Sequence, residues 1–237
     1  MQINERIDIH THILPGVDDG SKDIETSVKM LEMEKAQGVS SIVLTPHFMH
    51  GENRYTPESL KETFDVFCDD KRVKDTGIEL FLGNEIFYSK DITEDLDNGC
   101  ARTVDGKRRI LLEFAPYDSE EDIINGCKDI YNSGYTIVLA HIERYTYITD
   151  KAIDKLLAMD TMFQMNASFV KDIPLIAFGH KGWYKDLLKY GLVSFIATDT
   201  HNMTTRKPDL YVKEINKKYS KEADDMFYNN AYQLLYK

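Results

Sequence analysis

Histidine, aspartate and glutamate recur in this chain directly after short apolar runs that have the character of β-strands. The segments run from Ile7 to His12, from Thr45 to His47, from Gly83 to Glu85, from Leu112 to Phe114, from Ala140 to His141 and from Thr198 to His201, and Asp18-Asp19-Gly20 lies in the first loop. The ends of many parallel strands meet only at one rim of a closed sheet. The pattern therefore predicts a polynuclear metal site at a barrel rim, which is typical of a metallohydrolase.

The types of these side chains indicate which metals they would bind. In His10-x-His12, two imidazoles on one face of a strand end can hold a single ion. Glu85 and Glu113 follow apolar residues, where a buried carboxylate needs a metal or an arginine to compensate its charge. A carboxylate can bridge two ions, and Glu85 or Asp199 is the expected bridge. Nitrogen and oxygen ligands without thiolate suit Mn²⁺ or Fe²⁺ and tolerate Zn²⁺ or Co²⁺.

Each of these residues also has a plain structural interpretation. A histidine at a strand end often serves only as a hydrogen-bonding group, and a glutamate often belongs to an ion pair. The repetition of ligand types at equivalent places favours the metal site over both interpretations. His50, in a loop, and His180, in the helical pattern from Gly179 to Lys189, lack that placement and are not expected to be ligands.

Two arginines follow candidate ligands closely. Arg144 lies in His141-Ile142-Glu143-Arg144, and Arg206 follows Asp199-x-His201. A guanidinium beside a cationic cluster is repelled unless an anion lies between them, and its forked donors match a phosphate. The pair therefore predicts a phosphoester substrate. The alternative is that each arginine only forms a surface ion pair, with Glu143 or with Asp209.

The apolar periodicity predicts a repeating order of strands and helices. A first helix is capped by Ser21 or Asp23, and a second begins at Thr56 and runs to Gly77. Strands are expected over 6–9, 41–44, 78–82, 110–112, 136–139, 162–165 and 193–197. About seven βα units imply a parallel sheet, either a barrel or a doubly wound open sheet. Ligands on nearly every strand end favour the barrel, because a doubly wound sheet gathers its site at one switch point.

The composition limits the class of protein and its partners. The length of 237 residues, with 42% hydrophobic residues, suits one domain over 1–237. A net charge of -11 argues against nucleic acid as a partner. The odd set of Cys68, Cys100 and Cys127 lacks C-x-x-C spacing, which fits a reducing cytoplasm. No signal-type segment and no run of about 18 apolar residues is present, so neither export nor membrane insertion is expected.

Together the ligand-bearing segments resemble the polymerase and histidinol phosphatase (PHP) superfamily, and within it the manganese-dependent protein-tyrosine phosphatases of bacterial capsule and exopolysaccharide operons. The resemblance runs from about Arg6 to the C-terminal helices, and rests on Asp8-Ile9-His10-Thr11-His12 through Asp18-Asp19-Gly20, Thr45-Pro46-His47, Asn84-Glu85, Leu112-Glu113-Phe114, Ala140-His141-Ile142-Glu143-Arg144 and Thr198-Asp199-Thr200-His201. It implies the PHP fold, a distorted TIM-like (β/α)7 barrel, with three metal ions, expected to be Mn²⁺.

The resemblance also implies a role for each residue. One ion would be bound by His10, His12, Glu85 and Asp199, a second by Glu85, Glu113 and His141, and a third by Asp19, His47 and His201. Asp18 is the rival of Asp19 as a ligand. Arg144 and Arg206 fall where this branch binds the phosphoryl group. One departure is Asn166-Ala167-Ser168, where relatives often have Asn-Ser-Ser.

The expected chemistry is attack on phosphorus, in line, by a hydroxide held between metals. A tyrosine phenol, with a pKa of about 10, leaves with little protonation, which favours aryl phosphates. A cysteine mechanism needs an arginine six positions after the cysteine, but those positions hold Lys74, Gly106 and Ser133. The thiol route is therefore excluded.

The resemblance implies a phosphotyrosine-containing substrate, the tyrosine-rich tail of a bacterial tyrosine kinase that controls polysaccharide assembly. A homo-oligomer is compatible with this branch, and the sequence does not decide it. Three alternatives stay open: a small-molecule phosphatase of the histidinol-phosphatase type, an amidohydrolase, which has less use for the two arginines, and a non-catalytic metal-bound scaffold that captures phosphotyrosine.

Overall fold

The architecture of the chain, described by a computed structural model for residues 5–172, 187–220 and 222–237, alternates strands with helices. The strands are β1 (Arg6–Thr11), β2 (Val39–Leu44), β3 (His47–Phe48), β4 (Glu79–Leu82), β5 (Glu85–Phe87), β6 (Arg109–Glu113), β7 (Thr136–Leu139), β8 (Met162–Asn166) and β9 (Val193–Ala197). The helices are α1 (Ile24–Ala36), α2 (Pro57–Asp69), α3 (Lys71–Thr76), α4 (Ile92–Asp97), α5 (Glu120–Asn132), α6 (Asp150–Leu157), α7 (Ala167–Asp172), α8 (Val212–Lys218) and α9 (Asn230–Tyr236). A 3-10 turn covers Ile142–Arg144, and a π-helical turn covers Asp225–Asn229.

The strands form two sheets in which every described pairing is parallel. One sheet has the order β1-β2-β4, and the other has the order β3-β5-β6-β7-β8-β9. Hydrogen bonds connect the carboxyl end of β1 with the segment after β9: the His12 N–H donates to the Thr200 carbonyl at 2.9 Å, and the Asp199 N–H donates to the His10 carbonyl at 2.9 Å. The predicted α/β class with parallel strands is confirmed.

Side chains alternate between two apolar clusters along the central strands. Leu111 and Val138 belong to an inner cluster that the strands share with α9, whereas their neighbours Leu112 and Leu139 belong to an outer cluster that packs against the other helices. This alternation is the period of two expected of a strand buried on both faces. Both sides of the strands are therefore packed with apolar side chains.

The C-terminal helix α9 packs at the amino ends of the strands. Residues near the start of two strands contact it: the guanidinium of Arg109, the first residue of β6, donates to the Leu234 carbonyl at 3.0 Å, and the Tyr236 hydroxyl lies 2.9 Å from the hydroxyl of Ser41, the third residue of β2. Ala231, Leu234 and Leu235 complete the inner apolar cluster. This end of the strands is therefore covered, and the opposite end carries the ligand-type residues.

Helix boundaries match the predictions in one case and correct them in another. Asp23, one of the two expected caps, accepts a hydrogen bond from the Thr26 N–H at 2.8 Å and begins α1. The prediction of one helix from Thr56 to Gly77 was wrong, because the backbone leaves the helical region at Asp70, with φ -60 and ψ 130. The Asp70 carboxylate accepts from the Arg72 N–H at 2.8 Å and caps a second helix, α3.

Several elements were not predicted from the sequence. The short strands β3 and β5 each carry a ligand-type residue, and α4 follows β5. The helical pattern from Gly179 to Lys189, with His180, lies outside the described residues except for positions 187–189. Within the described ranges, no helix combines the length and apolarity that a bilayer crossing requires.

The packing of α9 predicts a measurable loss of stability when its buried face is truncated. Leu234 is 2% exposed, and Leu234→Ala should lower the free energy of unfolding by about 2–4 kcal/mol, since it leaves a cavity in the inner cluster. Gln233→Ala, at the neighbouring exposed position, should change it by less than about 0.5 kcal/mol. Urea titration followed by circular dichroism measures both, and equal stability of the two variants would contradict the packing role.

Candidate metal centre

The structure brings all nine predicted metal ligands into one cluster at the carboxyl ends of the strands. They are His10 and His12 from β1 and its end, Asp19 from the following loop, His47 from β3, Glu85 from β5, Glu113 from β6, His141 after β7, and Asp199 and His201 after β9. The nine residues come from six strands and the segments that follow them, β1, β3, β5, β6, β7 and β9, which is the placement expected from the sequence pattern. The cluster is continuous, because neighbouring groups share side chains.

Three overlapping groups have ligand atoms close enough to hold an ion. They are His10, His12, Glu85 and Asp199; His12, Asp19, His47 and His201; and His47, Glu85 and Glu113, with the ligand atoms of each group within 4.8 Å of one another. The His141 Nε2 lies 2.8 Å from Glu85 and 2.9 Å from Glu113. This grouping parallels the three sets implied by the family resemblance, with His12 and His47 as additional members of the second and third groups.

Glu85 is the carboxylate that joins the groups. Its two oxygens lie 3.2 Å from the His10 Nε2, 3.2 Å from the His12 Nε2 and 3.0 Å from the His47 Nδ1. Burial by itself would raise the pKa of Glu85, but the charges and hydrogen bonds of His10 and His12 hold this pKa well below its usual range. An ionised carboxylate with imidazoles on both sides has the arrangement of a bridging ligand.

Asp18 and Asp19 have different positions in the cluster. Asp18 contacts the His12 Nδ1 at 2.7 Å and accepts from the Gly20 N–H at 2.9 Å, so it orients the imidazole from behind. The Asp19 carboxylate lies 3.3 Å from the His47 Nε2 and 3.4 Å from the His201 Nε2. A Cβ at Gly20 would lie 2.2 Å from the His12 carbonyl, so only glycine fits beside this aspartate pair.

Two polar residues of β8 to which the sequence analysis assigned no role in the cluster also support it. The Gln164 Oε1 lies 3.1 Å from the His10 Nδ1 and accepts from the His141 N–H at 2.7 Å. Its amide donates to Asn166, which donates to Asp199 at 2.8 Å. Gln164 and Asn166 lie on the inner face of a strand whose other residues are apolar. Polar residues at such places were the sequence signal that could have identified them as support for the ligands.

Asp8, also missed, connects β1 to β9 from beneath the cluster. Its carboxylate accepts from the His10 N–H at 3.1 Å and from the Thr198 hydroxyl at 2.6 Å. Burial raises the pKa of Asp8 to about 6, and the hydrogen bonds from Thr198 oppose the shift. The contacts hold the two strand ends that carry His10 and Asp199 at a set distance.

Two ligand-type residues have a backbone conformation that is costly for non-glycine residues. His141 has φ 34 and Asp199 has φ 51, both in the left-handed region. Such conformations cost about 1–3 kcal/mol each and persist only where the surroundings hold them. Here the Gln164 side chain binds the His141 N–H, and the His10 carbonyl binds the Asp199 N–H. The strain directs both side chains into the cluster.

The two predicted phosphate-binding arginines converge on one carboxylate. The Arg144 Nη2 donates to one oxygen of Asp199 at 2.7 Å, and the Arg206 Nη2 donates to the other oxygen at 2.5 Å. The alternative, in which each arginine forms a surface ion pair with Glu143 or Asp209, does not describe these contacts. Among the described residues, Asp209 pairs with Lys207, and Glu143 accepts a hydrogen bond from the Asn166 N–H. Both guanidinium groups line a cavity of about 170 Å³ that borders Asp199.

The pKa values of the imidazoles in the cluster differ because their surroundings differ. Burial opposes protonation of His12 and His47, but the carboxylates beside them raise the pKa of His12 to about 9 and of His47 to about 11. Burial and the neighbouring His12 lower the pKa of His201 to about 3. The Nε2 of His201, which faces Asp19 in the cluster, is buried without a hydrogen-bond partner among the described residues. Buried donor atoms that converge in this way fit divalent cations, which bind deprotonated imidazole and carboxylate.

Comparison with known proteins relates the whole chain to one family. The model of the family described as capsular polysaccharide synthesis, CpsB/CapC, matches residues 6–236. The tyrosine-protein phosphatase CpsB of Streptococcus pneumoniae is 32% identical over 239 residues, which cover 97% of this chain and 98% of that protein. The tyrosine-protein phosphatase YwqE of Bacillus subtilis is 30% identical over 238 residues, covering 97% of this chain and 91% of that protein.

Solved structures agree with the sequence comparison. A crystal structure from the study of YwqE of Bacillus subtilis and CpsB of Streptococcus pneumoniae, metal-dependent tyrosine phosphatases, superposes with a TM-score of 0.83 at 28% identity, covering 97% of this chain and 94% of that one. Dihydropyrimidinase from Brevibacillus agri shares the fold alone, with a TM-score of 0.59 at 11% identity over 93% of this chain and 68% of that one. The resemblance seen in the sequence motifs is confirmed, and this chain belongs to the CpsB/CapC family of capsular polysaccharide synthesis proteins.

Proposed function

We propose that this chain is a metal-dependent protein-tyrosine phosphatase that hydrolyses phosphotyrosine monoesters. The observation that carries the proposal is the convergence of nine metal-type ligands next to two arginines that line one cavity. Relatives named tyrosine-protein phosphatase align over nearly the whole chain. A small-molecule phosphatase and a silent phosphotyrosine-binding scaffold are not favoured, because the relatives that cover the chain are named protein phosphatases.

The proposed scaffold is a single domain over 1–237 with the PHP fold, a distorted (β/α)7 barrel. Two observations support it. The hydrogen bonds between β1 and the segment after β9 connect the first and last strands. The inner apolar cluster draws residues from both sheets and from α9, as a filled barrel interior does.

The proposed cofactor is a cluster of three ions, with Mn²⁺ as the expected metal and Fe²⁺, Zn²⁺ or Co²⁺ as alternatives. When bound, such cations neutralise phosphoryl oxygens and lower the pKa of water. The residues that would hold them are His10, His12, Glu85 and Asp199 for one ion, Glu85, Glu113 and His141 for a second, and Asp19, His47 and His201 for a third. The mixed nitrogen and oxygen donors, without thiolate, suit these metals.

In this proposal the two arginines bind and orient the phosphoryl group. Their guanidinium groups bind different oxygens of Asp199, and both residues line the same cavity. The buried carboxylate of Asp199 holds both guanidinium groups in place. These donors therefore need little reorganisation when negative charge develops on the phosphoryl oxygens. The tyrosine phenolate, with a pKa of about 10 for its phenol, is a good leaving group, so no strongly tuned protein acid is required.

The cysteines have no role in this proposal. Cys127 is fully buried, and burial raises the pKa of its thiol to about 12. Burial also raises the pKa of the Cys68 thiol to about 11. A thiol with so high a pKa contains almost no thiolate near neutral pH and is a poor nucleophile. The three cysteines of the chain are free, which supports the proposed cytoplasmic location.

The proposed substrate is a phosphotyrosine-containing protein, the tyrosine-rich tail of a bacterial tyrosine kinase that controls capsular or exopolysaccharide synthesis. The family description and the names of the relatives support this assignment. The net charge of -11 is unfavourable for nucleic acid. A homo-oligomer remains compatible with the proposal and is not needed for it, since the ligands described above all come from one chain.

Removal of metal is expected to abolish activity. Exhaustive chelation should stop hydrolysis of p-nitrophenyl phosphate, and Mn²⁺ should restore it. His10→Ala should lower both metal content and kcat, the latter by at least about 100-fold, because it removes a ligand. His50→Ala is the matched control, since His50 pairs with Asp95 outside the cluster. Activity that survives chelation, with no metal by elemental analysis, would refute the proposed function.

Loss of either arginine is expected to impair phosphoryl binding without loss of metal. Arg144→Ala and Arg206→Ala should each lower kcat/KM for a phosphotyrosyl peptide by about 100- to 1,000-fold, since each removes a preorganised donor. Arg206→Lys should recover only part of that loss, because lysine lacks the fork. Metal content measured in parallel separates phosphate binding from ligand support. Unchanged kinetics in both alanine variants would contradict the assigned role.

Metal binding is expected to release protons near neutral pH. Because the carboxylates raise the pKa of His12 to about 9 and of His47 to about 11, both imidazoles are protonated at pH 7 without metal and must lose that proton to coordinate. The affinity for Mn²⁺ should therefore rise between pH 6 and pH 8. Calorimetric titration in buffers of different ionisation enthalpy counts the protons, and an affinity independent of pH would contradict these shifts.

A further inference from the structure

A second cavity, of about 390 Å³, also borders the proposed metal centre. Asp19, His47 and Glu113 form the wall that it shares with the cluster. The remaining wall comes from the first loop and from the segment after β3, and includes Val17, Met49, Glu52, Arg54 and Tyr55. The cavity therefore connects the candidate ligands with a surface that the proposed chemistry does not use.

The two cavities differ in the ligand chemistry that they accept. The cavity of about 170 Å³ is lined by three cations, Arg144, Arg206 and Lys207, and suits the phosphoryl group. The larger cavity is lined by the side chains of Val17, Met49 and Tyr55, together with the carboxylates of Asp18, Asp19, Glu52 and Glu113. An aromatic ring buries about 150–250 Å² and packs well against thioether and aromatic groups. The ring of phosphotyrosine is therefore better accommodated on the side of Met49 and Tyr55.

The wall of the larger cavity is held in place before any substrate binds. The Met49 N–H donates to the Asn53 side chain at 2.8 Å, and the Glu52 N–H donates to the Met49 carbonyl at 3.0 Å. The Tyr55 hydroxyl donates to the His47 carbonyl at 2.6 Å and accepts from the Asn84 amide at 2.9 Å. These bonds tie the wall to β3, which carries His47, and reduce the entropy lost on binding.

Arg54 is the permanently charged cation among the residues that line this cavity. Its side chain is exposed, and within the described part of the chain it has no ion-pair partner. Glu52 lies two residues before it in the same loop. A guanidinium at the mouth of a substrate cavity is suited to bind a carboxylate, with the forked geometry that lysine lacks.

We propose that the second cavity binds the phosphotyrosine ring against Met49 and Tyr55, and that Arg54 selects peptides with an acidic residue next to the phosphotyrosine. The inference rests on the proposed phosphatase function and adds a subsite for the ring and a preference for the residue next to the phosphotyrosine. A peptide that enters this way directs its phosphoryl group to the ions and the two arginines, and its backbone crosses the mouth beside Arg54. The preference for acidic neighbours depends on one solvent-exposed charge pair, between Arg54 and the peptide. The expected difference in kcat/KM is therefore modest.

The test compares two phosphotyrosyl peptides that differ only next to the phosphotyrosine, one with glutamate and one with lysine. The wild-type enzyme should have a kcat/KM about 3- to 10-fold higher for the glutamate peptide. Arg54→Glu should reverse this preference. Lys107→Glu is the matched control, since it makes the same charge change at an exposed position outside the cavity and should keep the wild-type ratio.

The ring subsite has its own variant. Met49→Ala should raise KM for p-nitrophenyl phosphate by about 3- to 10-fold, since it removes apolar surface that the ring would cover. Val66→Ala, at an exposed apolar position of α2 outside this cavity, should leave KM unchanged.

The outcomes separate the two proposals. Absence of p-nitrophenyl phosphate hydrolysis by the manganese-loaded wild type would overturn the proposed function. Hydrolysis by the wild type together with an unchanged peptide ratio in Arg54→Glu and an unchanged KM in Met49→Ala would overturn the subsite alone. A change of the peptide ratio in Lys107→Glu equal to that in Arg54→Glu would show that overall charge, and not Arg54, sets the preference.

Discussion

The burial of carboxylates among imidazoles at the carboxyl ends of the strands is the constraint on which the rest of the site depends. Glu85 and Asp199 are each about 1% exposed, and His10 is fully buried beside both. An isolated buried carboxylate is expensive, so each needs a compensating charge or several hydrogen bonds. Around Asp199, two arginines and Asn166 supply them. Around Glu85, the imidazoles supply them, in an arrangement that also suits metal ions.

Support for this cluster comes from polar residues that are themselves buried. Gln164 contacts both His10 and the backbone of His141, so one amide side chain connects ligands from β1 and from the turn after β7. Asp8 connects β1 with the segment after β9, because its carboxylate accepts from the His10 N–H and from the Thr198 hydroxyl. Such outer contacts determine the direction and tautomer of the imidazoles that they touch. The left-handed backbone at His141 and Asp199 is tolerated because the His141 N–H donates to Gln164 and the Asp199 N–H donates to the His10 carbonyl.

The two ends of the strands have opposite roles. At the amino ends, α9 contributes apolar side chains and covers the inner cluster. At the carboxyl ends, polar side chains replace apolar ones, and two cavities border the cluster, one at Asp199 and the other at Asp19, His47 and Glu113. A stable packed end and a polar, partly strained end can coexist because parallel strands carry all their carboxyl ends to one side. Stability and chemistry are therefore separated along the strand axis.

The sequence by itself determined the class of the fold and the identity of the cluster residues. Apolar runs that end on ligand-type side chains predicted the parallel strands, and the structure brings together each residue selected in this way. These features are local, because a strand end and its next polar residue are read from a few consecutive positions. The division of one predicted helix at Asp70 was missed because an aspartate within a helical pattern carries no strong stop signal.

Only the tertiary structure decided how these residues meet. Asp18 and Asp19 are adjacent and chemically identical, yet one orients His12 and the other faces His47 and His201. The partner of the two arginines, Asp199, and the supporting role of Gln164 likewise depend on distances between separate strands. Sequence spacing contains no information about such contacts, because they arise from the register and twist with which distant strands pack.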